Sequence, residues 1–238
     1  MMYTYDDEIA GHYAAFRPPL HELILDKFLS NLPLFKSGLD IGCGTGTSSI
    51  ALAGYCEKVI GIDPSLSMLD RAAAHPQVTY LPFGGSQLNL FGEDFDIITF
   101  AGSLFYAKSQ SLLDEVVRVG KNKSLILIYD FEIVCEEILA RFGIQNQSGN
   151  TDYNHMVDFS GLELSKVEKV ISLKEMIKIN ILAENLAHVF LAEEGIYPIL
   201  KDKFPRHDLY EFVSNELSKQ KLDELNVNIF LSVYQIKK

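Results

Sequence analysis

Residues 39–49 read Leu39-Asp40-Ile41-Gly42-Cys43-Gly44-Thr45-Gly46-Thr47-Ser48-Ser49, with glycine at every second position from Gly42 to Gly46, behind an aspartate. Glycine tolerates φ > 0 and leaves the main chain bare, so another group can approach it closely. Ahead of the loop, Gly38 to Ile41 reads as a short strand; behind it, residues 47–54 read as a helix. Residues 58–63 (KVIGID) follow as a second strand that ends on an acid, Asp63, twenty-one residues after Gly42. Strand, glycine turn, helix, strand and acid form the plan of a nucleotide-type pocket, because a carboxylate at the second strand's end can accept hydrogen bonds from both hydroxyls of a ribose.

Outward from this unit, strands and helices alternate. Residues 20–32 carry apolar positions at helical spacing after Pro18-Pro19, and Ser65 to Ala74 reads as a helix with Ser65 as its N-cap. Further strands are expected at 78–81, 95–101 and Ser124 to Phe131, with a helix through 109–119. Near-continuous apolar strands separated by helices imply a mostly parallel sheet covered on both faces. After residue 131 the rhythm changes. A helix over 132–143 closed by Gly143 is expected, then a polar loop, a strand at 166–173, helices over 175–194 and 206–222, and a last strand at 227–236. The whole reads as one α/β domain over residues 1–238, with a helical elaboration in its C-terminal half.

Composition narrows the function. A net charge of −11, with Lys and Arg scattered, works against nucleic-acid substrates, which need clustered cations. Cys43, Cys56 and Cys135 form neither a disulfide framework nor a zinc pattern, and no metal is expected. The acidic N-terminus lacks the basic and apolar regions of a secretory signal, and no apolar run is long enough to span a bilayer, so a cytoplasmic protein with no membrane partner is expected.

Two ligand classes use the strand–loop–helix plan. The dinucleotide fingerprint is G-x-G-x-x-G, whereas here its third glycine position is Thr47 and the observed pattern is G-x-G-x-G behind Asp40. LDIGCGTG resembles the first motif of the class I S-adenosylmethionine-dependent methyltransferases, especially the small-molecule methyltransferase type 11 group, and VIGIDPSLSMLDRA resembles the second. GGSQLNLF at 84–91 with FDIITFAGSLFY is similar to the family's adenine loop and fourth strand, and YAAFRPP at 13–19 looks like its N-terminal Y-x-x-x-R-P segment. The resemblance covers residues 3–131 well and the rest loosely.

It implies a doubly wound, Rossmann-like methyltransferase fold of seven strands with an antiparallel last strand, and S-adenosylmethionine as cofactor. Carried over, Gly42, Gly44 and Gly46, with Cys43 inside the loop, would let the main chain approach the cofactor's methionine part, with Asp40 near its ammonium group. Asp63 would take the ribose; Pro64, Ser65 and Met68 would shape that side; Gly85, Ser86 and Gln87 would face adenine. Ala101, Gly102 and Ser103 would lie under the sulfonium, and Arg17 could pair bidentately with the cofactor carboxylate. Tyr13 and Arg17 could equally pin the N-terminal helix to the domain, and Met68 could equally be core. The resemblance departs at Gly85, where the family often has an acid.

The partner implied is a small-molecule methyl acceptor, acted on by a monomer or homodimer, with residues 1–32 as a lid and 144–222 covering the acceptor site. Tyr106, Asp130, His155 and Tyr197 sit where an acceptor pocket could form, and no catalytic residue is assigned. Two other readings stay open: a nicotinamide-dependent oxidoreductase on a related fold, and a non-catalytic protein that binds S-adenosylmethionine.

Overall fold

A computed structural model describes residues 7–83, 88, 95–144, 152–193 and 195–238. In chain order the elements are α1 (Asp7–Ala15), α2 (Leu20–Leu29), β1 (Phe35–Ile41), α3 (Thr47–Ala53), β2 (Cys56–Asp63), α4 (Leu66–Leu69), β3 (Val78–Pro82), β4 (Phe95–Ala101), α5 (Leu104–Ala107), α6 (Gln110–Val119), β5 (Gly120–Val134), α7 (Glu136–Arg141), β6 (Val167–Asn180), α8 (Ala183–Leu191), α9 (Tyr197–Lys203), α10 (Leu209–Lys219) and β7 (Glu224–Ile236). Among the described residues the strands form one seven-stranded sheet in the order β3-β2-β1-β4-β5-β7-β6. β1 pairs in parallel with β2 and β4, β2 with β3, and β4 with β5. The last strand runs the other way. Lys237 N donates to Lys166 O at one end of the β6–β7 pair while Lys178 bonds Glu224 at the other, so rising numbers on one strand meet falling numbers on its neighbour. The end of β7 likewise meets the start of β5, where Gln235 Nε2 donates to Lys123 O. β7 is therefore antiparallel, as expected, and lies inside the sheet; β6 forms the edge.

The chain divides into two compact units. The larger comprises residues 20–132, 153–175 and 229–238. Its core is the apolar side of the sheet: Leu39, Ile98, Phe100, Ile126, Ile128 and Tyr234 pack with Leu113 and Val116 of α6 and with Phe159. α6 exists because its apolar residues recur at helical spacing, and because the Ser109 hydroxyl accepts from Leu112 N at 3.3 Å and caps its first turn. The smaller unit comprises residues 1–19, 133–152 and 176–228. In it α8 packs against α10, burying Leu186, Phe190, Val213 and Leu217, and α1 packs against α8.

Several expected elements change. The helix expected over Ser65 to Ala74 is the single turn α4: Ala73 N donates to Thr45 O, and Ala73 O accepts the Tyr80 hydroxyl at 3.1 Å, so helical partners are replaced by tertiary ones. Ser65 caps α4 without a side-chain bond to it. The expected helix over 175–194 begins only at Ala183, because β6 runs on to Asn180 with exposure alternating along Glu175 to Asn180. That period of two belongs to a strand. Lysines 169, 174 and 178 on this edge strand discourage further pairing. The helix expected over 132–143 is the shorter α7, since β5 extends to Val134, and Gly143 follows it at φ 67°. α10 is shorter than the 206–222 expected, and α5 and α9 were not foreseen.

Candidate active site

The sheet's strand order reverses between β1 and β4, and the carboxyl ends of the strands on either side of such a reversal leave a crevice that ligands use. The glycine loop leaves β1 at this point. Gly42, Gly44 and Gly46 have φ of 76°, 54° and 84°, the left-handed region at each second residue. Gly42 N and Cys43 N both donate to Ile62 O at 2.8 and 3.0 Å, which ties the loop to β2, and Gly46 N donates to Cys43 O at 2.9 Å before α3 begins. A side chain at Gly44 would project into open space, so here it is backbone conformation that calls for glycine. At Gly46 the reason is double: a Cβ would overlap the phenol of Tyr80, whose hydroxyl also approaches Gly46 O at 3.4 Å.

Two carboxylates organise the loop from opposite sides. Asp63, at the end of β2, accepts from Gly44 N at 2.9 Å and from Ser65 N at 2.8 Å, one bond on each oxygen. A carboxylate oxygen has a second lone pair, so Asp63 keeps acceptor capacity. Asp40 lies beneath the loop, fully buried, and accepts the hydroxyls of Ser48 at 2.6 Å, Ser49 at 2.7 Å and Thr99 at 2.8 Å. It therefore stitches β1, α3 and β4 together under the glycines. Burial pushes its pKa up, the three hydroxyls pull it down, and the charge of Asp63 adds to the rise.

That arrangement has a pH signature. A carboxyl whose folded-state pKa lies above its unfolded value contributes stability that is full below the unfolded value and is lost as pH rises through the folded one. Asp40→Asn removes the titration while keeping an oxygen to accept and an amide that the hydroxyls can accept from. The melting temperature of Asp40→Asn relative to the parent should thus move in the variant's favour as the pH rises above about 4, the ordinary aspartate value. A difference that is flat with pH across thermal melts would contradict it.

A cavity of about 650 Å³ opens above the loop, lined by Gly42, Gly44, Asp63, Pro64 and Met68 on one side and by Ala101, Gly102 and Ser103 on the other. This volume lies in the range of small-molecule sites, roughly 300–1,000 Å³. Met68 is 43% exposed on α4, on the cavity wall and not in the core. The Ser103 hydroxyl donates to Ile41 O and so fastens the turn after β4 to the end of β1. Ile41, Ile62, Phe83, Tyr106, Ala107 and Leu112 add apolar wall, with Ser109 beside them; of these the sequence had singled out only Tyr106.

Other expected residues lie elsewhere. Asp40, expected beside an ammonium group, is below the loop and off the cavity lining; Gly46 and Ser65 are also off it. Cys43 is buried with its thiol 3.9 Å from Gly44 O, and burial pushes that thiol up to about 12, which suits a packed side chain and not a nucleophile. Tyr13 and Arg17 belong to the smaller unit, where the guanidinium carbon sits 3.2 Å from the Tyr13 ring centre. Tyr197 is also in that unit, accepting from Lys201 Nζ at 3.0 Å. Gly85, Ser86 and Gln87 lie outside the described residues. Asp130 and His155, twenty-five residues apart, are brought together: His155 Nδ1 is 2.9 Å from Asp130 Oδ2. Tyr153 joins them, its hydroxyl 2.8 Å from the same oxygen and 2.9 Å from Gly102 O. No periodicity or motif in the sequence marks Tyr153. Among the described residues no group of three or more His, Cys, Asp or Glu could hold a metal, and no helix is long and apolar enough to cross a membrane.

An open doubly wound sheet, a glycine loop at the reversal of strand order and an acid closing the next strand define a nucleotide-cofactor domain. Residues 39–123 match the methyltransferase-domain family. The chain is 30% identical over 134 residues to a Dictyostelium discoideum protein named as a methyltransferase, covering 52% of this chain and 49% of that one. It is 34% identical over 98 residues to the demethylmenaquinone methyltransferase of Clavibacter sepedonicus, covering 39% of this chain and 40% of that one. The chain thus spans about half, or less, of the length of these curated relatives. A solved structure from Anaeromyxobacter dehalogenans, described as a type II methyltransferase, superposes with a TM-score of 0.63 at 17% identity, covering 93% of this chain and 98% of that one, which shows the shared fold.

Proposed function

We propose that this protein transfers a methyl group from S-adenosylmethionine to a small-molecule acceptor by in-line displacement. One observation carries the reading: the cavity's floor is bare main chain at Gly42, Gly44 and Gly102, with the Asp63 carboxylate on its wall. The residues fit the cofactor, since a carboxylate with unused lone pairs suits a diol, and its negative charge suits a ligand that carries a cationic sulfur and an ammonium. In this reading Asp63 accepts the ribose hydroxyls, and Pro64 and Met68 wall that side. Gly42 and Gly44 admit the methionine part, and Ala101, Gly102 and Ser103 lie beneath the sulfur. Asp40 acts from below, by fixing the loop through Ser48, Ser49 and Thr99. The roles of Tyr13, Arg17, Gly85, Ser86 and Gln87, and the covering role of residues 1–32 and 144–222, rest on the sequence resemblance.

When bound, the cofactor supplies a methyl group on a positively charged sulfur that leaves as a neutral thioether. The chain's own work is then alignment and exclusion of water, which can supply several kcal/mol of the barrier. A base is required only where the attacking atom carries a proton that must leave. A small acceptor follows from the cavity's size and from the net charge of −11, which opposes a polyanionic substrate. The test is to incubate the protein with methyl-labelled S-adenosylmethionine and a cell extract, then separate the products by size. Label should enter the low-molecular-weight fraction; label in protein or nucleic acid alone would overturn the small-molecule reading.

A further inference from the structure

Beside Gly102 the cavity adjoins a cluster that the cofactor roles above leave unused. A Cβ built on Gly102 would lie 3.4 Å from Asp130 Oδ1 and 3.5 Å from the Tyr153 hydroxyl, so both groups stand directly against this piece of cavity lining. Asp130 Oδ1 accepts from Phe131 N at 2.8 Å, which leaves Oδ2 facing Tyr153 and His155. The Tyr153 hydroxyl has one proton and two acceptors in reach, Asp130 Oδ2 and Gly102 O, so the cluster holds more acceptor capacity than it has donors to fill.

Aromatic rings enclose it. Tyr153 lies with its ring centre 4.7 Å from Phe105, 5.9 Å from Tyr106 and 4.7 Å from His155, and His155 stacks on Phe230 at 5.4 Å. Tyr106 lines the cavity and is 78% exposed. Surplus acceptors, a carboxylate and several ring faces together favour a cation that brings its own N–H donors. The imidazole adds a place for a proton. With Nδ1 on Asp130, the ring's Nε2 has no partner among the described residues. A carboxylate on one ring nitrogen sets the tautomer and leaves the other as a lone pair.

We infer that Asp130, Tyr153 and His155 form the acceptor subsite, that it takes a primary or secondary amine entering as its ammonium ion, and that His155 is the base that deprotonates it. This inference rests on the methyltransferase reading. An ammonium has no lone pair, so one N–H proton passes to His155 Nε2. The nitrogen's freed pair then forms the bond to the methyl carbon as the carbon–sulfur bond breaks, its electrons staying on sulfur. The methylated nitrogen carries the positive charge away and His155 returns its proton to water. Asp130 attracts the cation, orients the imidazole and stabilises its protonated form. The Asp130 hydrogen bond raises the His155 pKa, burial lowers it, and the charges of Asp130 and Glu132 raise it further. The other groups facing the ring are Tyr153 and Phe230, with Lys174 Nζ 5.3 Å from the Phe230 ring centre.

The experiment uses benzylamine as the amine probe and p-cresol as a hydroxyl probe, with protein saturated by S-adenosylhomocysteine and the His155 imidazole followed by NMR. Benzylamine should shift the His155 and Tyr153 resonances where p-cresol does not. The His155 titration midpoint should lie above the ordinary histidine range in the parent and fall in Asp130→Asn. With S-adenosylmethionine, kcat/KM for benzylamine should rise with pH to a plateau, and His155→Gln should lose about 100-fold or more together with that pH limb. Tyr153→Phe, which keeps the ring packing, should weaken benzylamine binding while the His155 titration persists. S-adenosylhomocysteine affinity is measured first on every variant. Loss of it in the parent would sink the cofactor reading. Retained affinity with no benzylamine response at His155, a preference for p-cresol, or a His155→Gln variant as fast as the parent would overturn the amine subsite.

Discussion

Charge reversal at Asp63→Lys should lower the affinity for S-adenosylhomocysteine by about 100-fold or more in calorimetry. Three effects act together. On the proposed reading the ribose loses its acceptor, and hydrogen bonds to charged groups are worth about 1.5–3 kcal/mol each, so two of them correspond to roughly 100-fold to 10,000-fold. A lysine cannot accept, so Gly44 N and Ser65 N also lose the partners they hold at 2.9 and 2.8 Å, and the loop is unmoored from β2. On the proposed reading, a cation is also placed in a site that takes a positively charged cofactor. Asp63→Asn separates these effects: its amide oxygen can still hold one loop N–H, so its loss should be smaller. Parental affinity in Asp63→Lys, with a normal melting temperature, would mean that the cofactor does not use this wall.

The second large effect concerns the loop itself. Gly46→Ala should destabilise the protein by about 2–4 kcal/mol, in two parts. A left-handed φ of 84° costs a non-glycine residue about 1–2 kcal/mol. The rest comes from the collision with Tyr80, whose hydroxyl is anchored on Ala73 O and whose displacement breaks the tie that ends α4. A double-mutant cycle tells the parts apart. In a Tyr80→Ala background only the backbone cost remains, so Gly46→Ala should there cost about 1–2 kcal/mol by urea unfolding. Equal costs in both backgrounds would show that the phenol does not restrain the loop.

These two residues also show what could be read from the chain. Asp63 and the glycines were legible because the information is local: apolar strands buried on both faces, then a turn whose conformation few residues tolerate. α3, β2, β4 and α6 follow within a residue or two for the same reason, while β1 starts three residues ahead of the expected Gly38, at Phe35. Asp40 was legible as a member of the motif but not in its placement, because its partners Ser48, Ser49 and Thr99 meet it only once β4 lies beside β1. Tyr80 against Gly46, and Tyr153 against Gly102, are contacts between distant segments with no periodic trace. The length of β6 was hidden by composition: Glu175, Met176 and Lys178 suit a helix, while their alternation at a sheet edge makes a strand. α4 failed to extend because Ala73 bonds Thr45 and Tyr80 in place of its own helix.

Whether the cavity over the glycine loop holds the nucleoside of S-adenosylmethionine is decided by a crystal structure of the protein with S-adenosylhomocysteine. The ribose hydroxyls should lie within hydrogen-bonding distance of the Asp63 carboxylate, and the sulfur over Gly102. Clear density for the ligand in another pocket, with the cavity between Asp63 and Gly102 filled only by water, would contradict that placement.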